Sequence, residues 1–504
     1  MFFGSVAAFW VIIALLPVGL IFFSTFFVDG SFSLSAYSSL FGNSMLIKSL
    51  GNSVVLALTV AALTTAAGVG LGVLLGKTDI WLGRSFAVLL SIPLLIPPYI
   101  LAFAYADLFG EWFFGFWGVV FVLFGIYLPI PLLLTMFYMR QIDPALEEAG
   151  LLVSGWREVF VGITLPLIKP AVLFAFLLVF ILTFGEYSVA NFLRYPVFST
   201  QSFVYFAAFY DFKAAAVAAF PIILVVAVAV MLAHLWRKKN RFMSTNMSRQ
   251  QKIELGKWKP VCFTLLAGMT GVLVMLPLML LVQKSGDIDI FWDAFQKAKD
   301  PLFRSLLLSA LGATFLILFG FVSAYIIEQK LFVWWKWFDG SILFLFALPS
   351  TLLGIALILL WNTPYTNFIY TTPLIILFGY VGKYLALSSK VTEAGLSQIP
   401  QSFTEAAQLN GAGWYQVLWY ILLPLSKEIL LLAWGIGFIF TLREDTLSML
   451  LYPPGMDTLP VYIFTQMANG APALIASYCL LMVTVILLPI LVFALFSIFK
   501  RRVV

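Results

Sequence analysis

Apolar residues in this chain come in runs of about twenty positions, separated by short stretches of charge, glycine, proline or other turn residues. About 20 mostly apolar residues are needed for a helix to cross the hydrocarbon of a bilayer, so the pattern predicts spanning helices. Twelve such runs occur, at about 6–27, 53–76, 85–109, 112–139, 171–193, 214–236, 261–283, 305–327, 338–361, 368–389, 429–451 and 473–498. The expected fold is all-α, a polytopic membrane protein. The first run has no charged leader and no small-residue cleavage pattern after it, so it is expected to be a retained span rather than a signal peptide.

Composition agrees. Of the 504 residues, 62% are apolar and only 29 Lys and Arg plus 23 Asp and Glu carry charge. Soluble proteins are about 45–50% apolar and about 25% charged. The two cysteines, Cys262 and Cys479, lie 217 positions apart in apolar runs, which excludes a disulfide scaffold, a CxxC pair and a cysteine zinc site. The one histidine, His234, sits beside Trp236 and Arg237 at a span end and reads as an interfacial residue rather than a ligand. The net charge of +6 resides at the ends of apolar runs, which favours topology over nucleic acid.

Lys and Arg concentrate in cytoplasmic loops. With both termini inside, 20 basic residues fall on the cytoplasmic side and five outside, namely Lys48, Lys284, Lys297, Lys299 and Arg304. Arg194, Lys213, Lys383 and Arg443 lie near span ends. Eight of the 20 occupy 237–259, a polar stretch with one acid, Glu254, expected to be a cytoplasmic linker. Anionic headgroups could also attract it.

The linker joins two copies of one unit. At an offset of 258, Glu147-Glu148-Ala149 through Leu165-Pro166 overlays Glu405-Ala406-Ala407 through Leu423-Pro424, with Gly155-Trp156 on Gly413-Trp414. Farther on, Thr183, Glu186 and Thr200 fall on Thr441, Glu444 and Thr458. The expected organisation is a six-span unit at 1–236, the linker at 237–259 and a second six-span unit at 260–504. Each repeat carries a helix-forming run, a break at small residues (Ser154-Gly155; Gly411-Ala412-Gly413), and Trp-containing amphipathic sequence ending at Leu-Pro. Such a segment either docks a partner or lies on lipid; its presence at the same place in both repeats favours a partner.

Glu405-Ala406-Ala407, Gly411, Ile421, Leu423 and Pro424 resemble the EAA loop of ABC importer permeases, the cytoplasmic segment inserted into their ATPase subunits. The first copy departs from it at Glu148 and Val153 but keeps Glu147, Ala149, Ile163, Leu165 and Pro166. The whole chain is similar to two consecutive permease units of the type I importer kind. Tyr452-Pro453-Pro454-Gly455-Met456-Asp457-Thr458-Leu459 is similar to a segment of the iron(III) importer permeases, with thiamine permeases next; an external Pro-Gly turn is the plainer alternative.

The resemblance implies a permease in a prokaryotic plasma membrane with no enzymatic activity or cofactor of its own. ATP and Mg would belong to two copies of a partner ATPase, docked on Glu147, Glu148, Ala149, Gly155, Glu405, Ala406, Ala407, Gly411 and Gly413. An extracytoplasmic binding protein would deliver the solute. No GxxxxGK[ST] phosphate loop and no nucleophile, base and orienter set occurs in the sequence.

Ionisable residues at spans are costly and commonly face a cavity or the bundle interior. Candidates are Asp107, Glu186, Asp211, Lys213, Lys383, Arg443, Glu444 and Asp445. Glu186, Glu444, Arg443 and Asp107 are expected on the translocation path, or else as span-end charges and local ion pairs. Pro93, Pro97 and Pro98 in the third span and Pro349 in the ninth are expected to break their helices, as gate elements or as packing kinks. An ion-coupled secondary transporter would explain the repeat but not the two loops.

Overall fold

The structure is a computed structural model that describes residues 2–28, 31–33, 37–38, 42–208, scattered positions between 214 and 231, and 252–503, with side chains up to 489. Most of the expected sixth span and of the linker, with His234, Asp211 and Lys213, lies outside the described residues. Among the described residues, nine helices are long and apolar enough to cross a membrane, or up to 11 when two bent pairs each count as one span. The only strands among them are Phe27–Val28 and Ser31–Phe32, paired antiparallel.

Helix ends differ from the apolar runs in a physically consistent way. The expected fifth and eleventh spans extend backward through the Trp-containing segments, forming continuous helices Trp156–Phe184 and Trp414–Leu442. The Leu-Pro pairs therefore lie inside the helices. Each is preceded by one π-helical stretch, Phe160–Thr164 and Leu418–Leu422. The same device recurs before Leu16-Pro17, at Val11–Leu15, and before Leu276-Pro277, at Gly271–Met275. Proline has no N–H and its ring crowds the carbonyl four residues back; a wider turn relieves that crowding without ending the helix.

The proline clusters do break their helices. Gly83–Leu94 meets Pro98–Phe113 at 94°, and Trp335–Ala347 meets Ser350–Trp361 at 108°. Pro97 and Pro349 hold the same extended conformation just before the second arm. Both second arms are buried on all sides over most of their length, Tyr99 to Ala106 and Thr351 to Ile358.

The chain forms two compact units that cut across the repeat boundaries. One comprises Met1–Gly42, Ser202–Phe220 and Phe295–Asn469; the other Asn43–Gln201, Pro221–Ala294 and Gly470–Val504. In the first unit, Trp10 packs on Phe338, and Phe9 on Phe319 and Phe378. In the second, Leu266, Leu273 and Val274 enter a core with Leu71, Leu90 and Leu132. The leading span of each repeat thus packs in the unit built mainly from the other repeat.

Within each unit the long helix is joined closely to its neighbour through a glycine. A Cβ at Gly68 would clash with Pro131, and one at Gly320 with Ser388. Small residues let helix backbones approach where lipid supplies no hydrophobic drive. Gly68 and Gly320, like Pro97 and Pro349, are offset by 252 rather than 258, so six residues enter the second repeat between its bend and its loop.

Candidate functional site: two docking loops and two buried carboxylates

Loop one begins with the helix Pro144–Leu151, whose N-terminus is capped by Asp143 accepting from the Ala145 N–H at 3.0 Å. Asp is well suited to this because its carboxylate satisfies an otherwise orphaned amide. The chain turns at 152–155 and re-enters the helix beginning at Trp156. Leu152 and Val153 at the turn are 89% and 90% exposed. Val153 keeps negative φ; Leu82, Arg194 and Lys330 are the described non-glycine residues with positive φ.

Loop two has the helix Gln401–Leu409, a turn with Gly411 at φ 85°, and the helix beginning at Trp414. That φ favours glycine strongly. Gln416 Oε1 accepts from the Gly413 N–H at 2.8 Å, fixing the re-entry. Trp414 stacks edge-on against Phe3 at 4.9 Å and lies 6.2 Å from Tyr325. Leu409 is 90% exposed, Phe403, Tyr415 and Tyr420 are also exposed, and a cavity of ≈ 330 Å³ opens among Ala407, Asn410, Gly411, Ala412, Val417 and Tyr420.

The two leading glutamates of the loops have different surroundings. Glu405 is exposed, as are Ala406 and Gly411, while Ala407 and Gly413 are half-buried or exposed at the turn. Glu147 is buried: it forms an ion pair with Lys77 at the end of the helix Ser44–Lys77 and accepts from Thr164 Oγ1 at 2.8 Å. Glu148, Ala149 and Gly155 face outward. Large exposed apolar side chains beside accessible small residues form a surface that loses unfavourable hydration when a partner covers it.

The other repeat-related carboxylates are buried too. Glu186 accepts from Ser188 Oγ at 2.8 Å and from the Val189 and Ala190 amides at 3.1 and 3.3 Å, which open the short helix Ser188–Phe192. Glu444 accepts from the Leu447 amide at 2.9 Å and from the Tyr384 hydroxyl, at the start of the helix Thr446–Leu451. Each carboxylate thus caps a short helix after a span, and the charge is met by amide dipoles. Arg443 lies with its guanidinium 5.0 Å from the Phe440 ring, and Lys383 donates to the Leu348 carbonyl freed at the second bend. Asp107 pairs with Lys284 at the end of a broken-helix arm. Pro93 is buried in a single 3-10 turn at the first bend, and Pro349 precedes the second arm.

Residues outside the sequence expectations hold these parts in place. Ser53 Oγ accepts from the Phe198 amide at 2.7 Å, and Ser305 Oγ from the Leu459 amide at 2.6 Å, the same anchor in each unit. Arg304 forks onto Asp457 Oδ1 at 2.6 Å and the Gly455 carbonyl at 3.0 Å, so the Pro453-Pro454-Gly455 segment is a braced turn with Gly455 at φ 73°. A serine in an apolar run and a basic residue at its end carry no distinctive sequence signal.

The model of the binding-protein-dependent transport system inner membrane component family matches residues 68–240 and 316–504, each match containing one loop. The chain belongs to this family. Its two matched segments make it a fused, two-unit inner membrane permease. It is 23% identical over 95% of its length to the ferric transport system permease protein FbpB of Actinobacillus pleuropneumoniae, of which 75% is covered. It is also 23% identical over 88% of its length to a putative ferric transport system permease protein of Haemophilus influenzae, 76% covered. A putative 2-aminoethylphosphonate transport system permease protein of Salmonella typhimurium is 27% identical over 38% of the chain, with 72% of that protein covered.

Proposed function

We propose that this permease is the transmembrane subunit of an ATP-driven importer and forms the path for iron(III) delivered by an extracytoplasmic binding protein. The observation that carries the reading is the pair of repeat-related loops, each presenting exposed apolar side chains at a helix turn. In this reading both termini are cytoplasmic, and one ATPase subunit docks on each loop, near 145–157 and 403–415. ATP and Mg are bound by those subunits, and the bilayer surrounds the spans. Iron is favoured because the ferric relatives are similar over 88–95% of the chain, whereas the phosphonate relative is similar over 38% of it.

Transport would follow from alternation between two arrangements, with ATP binding by the docked subunits favouring one of them. Glu186, Glu444 and Asp107 are proposed to hold the turns that border the path, since their carboxylates are already engaged by amides, hydroxyls or Lys284. Uptake of labelled iron(III) by vesicles containing the complex, with binding protein outside and ATP inside, tests the reading. ATP-dependent uptake supports it. Uptake that is abolished by an ionophore and indifferent to ATP supports ion coupling instead.

A further inference from the structure

The Lys77–Glu147 ion pair is almost fully enclosed, with the two side chains 1% and 2% exposed. Thr164 Oγ1 closes the other carboxylate oxygen at 2.8 Å, so the group that leads loop one has both oxygens committed inside the chain. Lys77 and Thr164 belong to two different spanning helices, Ser44–Lys77 and Trp156–Phe184. The bridge therefore joins the loop helix to both.

Behind Lys77 lies a second fastening. The Ile253 amide donates to the Lys77 carbonyl at 2.8 Å, and the Asp79 amide donates to the Ile253 carbonyl at 3.2 Å. The Asp79 carboxylate accepts from the Leu255 amide at 3.0 Å and from Lys259 Nζ at 2.7 Å. The end of the inter-repeat linker thus forms a short parallel bridge, Ile253 against Thr78, directly beside the residue that holds Glu147.

Among the described residues loop two has no equivalent. Gln329 occupies the position of Lys77 at the 252 offset of the long helices, Leu422 occupies that of Thr164 at the 258 offset of the loops, and both Gln329 and Glu405 are exposed. Loop two is seated instead by apolar packing of Val417 and Leu422 on Phe321, Ala324 and Leu396. We propose that Glu147 is an internal positioning residue that fixes loop one to two spans, braced by the linker end, whereas Glu405 is available to a partner. The two ATPase contacts are consequently unequal: loop one is recognised through its apolar turn, and loop two also through a carboxylate.

The consequence for the partner rests on the docking reading; the tether does not. Hydrogen exchange of the full chain in detergent or nanodiscs, together with capture of the ATPase by the same preparations, separates them. Lys77→Met leaves Glu147 buried without its cation, and amides of residues 146–159 are expected to exchange about 100-fold faster as the loop detaches. Lys77→Gln serves the same purpose where Lys77→Met does not accumulate. The double variant Lys77→Met/Glu147→Leu replaces the bridge with an apolar contact and is expected to restore both slow exchange and ATPase capture to within about twofold, because well-packed apolar pairs can replace buried ion pairs.

Unchanged exchange in the single Lys77 variants overturns the tether. Slow exchange in the double variant with capture still lost also overturns the proposal, since it makes Glu147 a partner contact. Tenfold weaker capture on Glu405→Gln, with loop exchange unchanged, supports the assigned difference between the loops. If the unaltered chain captures no ATPase while the exchange results follow expectation, the tether stands and the docking reading falls.

Discussion

A carboxylate enclosed by apolar helices must find donors, and Glu186 and Glu444 find them in the amides that open the next short helix. Loss of such a buried acceptor costs about 1–3 kcal/mol because the amides are left without a partner. Glu186→Ala and Glu444→Ala are therefore expected to lower thermal stability in detergent by that amount. The Gln variants keep an acceptor oxygen and are expected to retain most of the uptake at equal membrane abundance. Abolished uptake in a well-folded Gln variant would instead assign the negative charge a direct role with the solute.

At the scale of single elements, prolines are tolerated where another group meets the carbonyls they orphan. The Tyr105 hydroxyl donates at 2.7 Å to the Val272 carbonyl, five residues before Pro277 and within the π-helical turn. Tyr105→Phe removes that donor with little change in volume and is expected to cost about 1–3 kcal/mol, read as a lower melting temperature of the purified chain. An unchanged melting temperature would show that the widened turn is satisfied without it. The linker end offers a pH-dependent element. Lys259 and the Leu255 amide beside Asp79 hold its carboxyl below the usual value of 3.8. The folded pKa is lowered, so the clamp's contribution is present above that value and is lost as pH falls through the lower folded value. Proteolysis near residues 252–259 is therefore expected to stay slow from neutral pH down to about 4 and to accelerate only in stronger acid. Asp79→Asn should be cut faster at neutral pH.

On the scale of the whole chain, the proposed orientation places the linker inside and the loop near Asp289 outside. Single cysteines at Thr245 and Asp289 are expected to label from opposite sides of intact cells; labelling from one side would contradict the topology. The all-α, multi-span character, the repeat, the helix-turn loops and the proline bends were legible in the sequence because lipid solvation, helix length and proline chemistry impose local patterns, whereas the described residues hold nine to 11 candidate spans against the twelve expected. The backward extension of the helices through Trp156 and Trp414 was not, because a π-helical turn lets Leu165-Pro166 and Leu423-Pro424 lie inside a continuous helix. Nor was the packing of residues 1–42 with 295–469, since uniformly apolar span surfaces contain little directional information about their neighbours. In the sequence Lys77 is one basic residue at a span end, a position that topology alone explains. Its partner Glu147 lies 70 positions away, and only the fold brings them together.

In the proposed complex one chain supplies two ATPase docking loops. Native mass spectrometry of the full chain purified with its ATPase subunit measures this directly. The expected mass is one permease with two ATPase copies, falling to one copy when the exposed apolar turn of either loop is replaced by charged residues. A transport-competent chain that carries no ATPase, or a complex whose ATPase count is unaffected by substitutions in both loops, would contradict it.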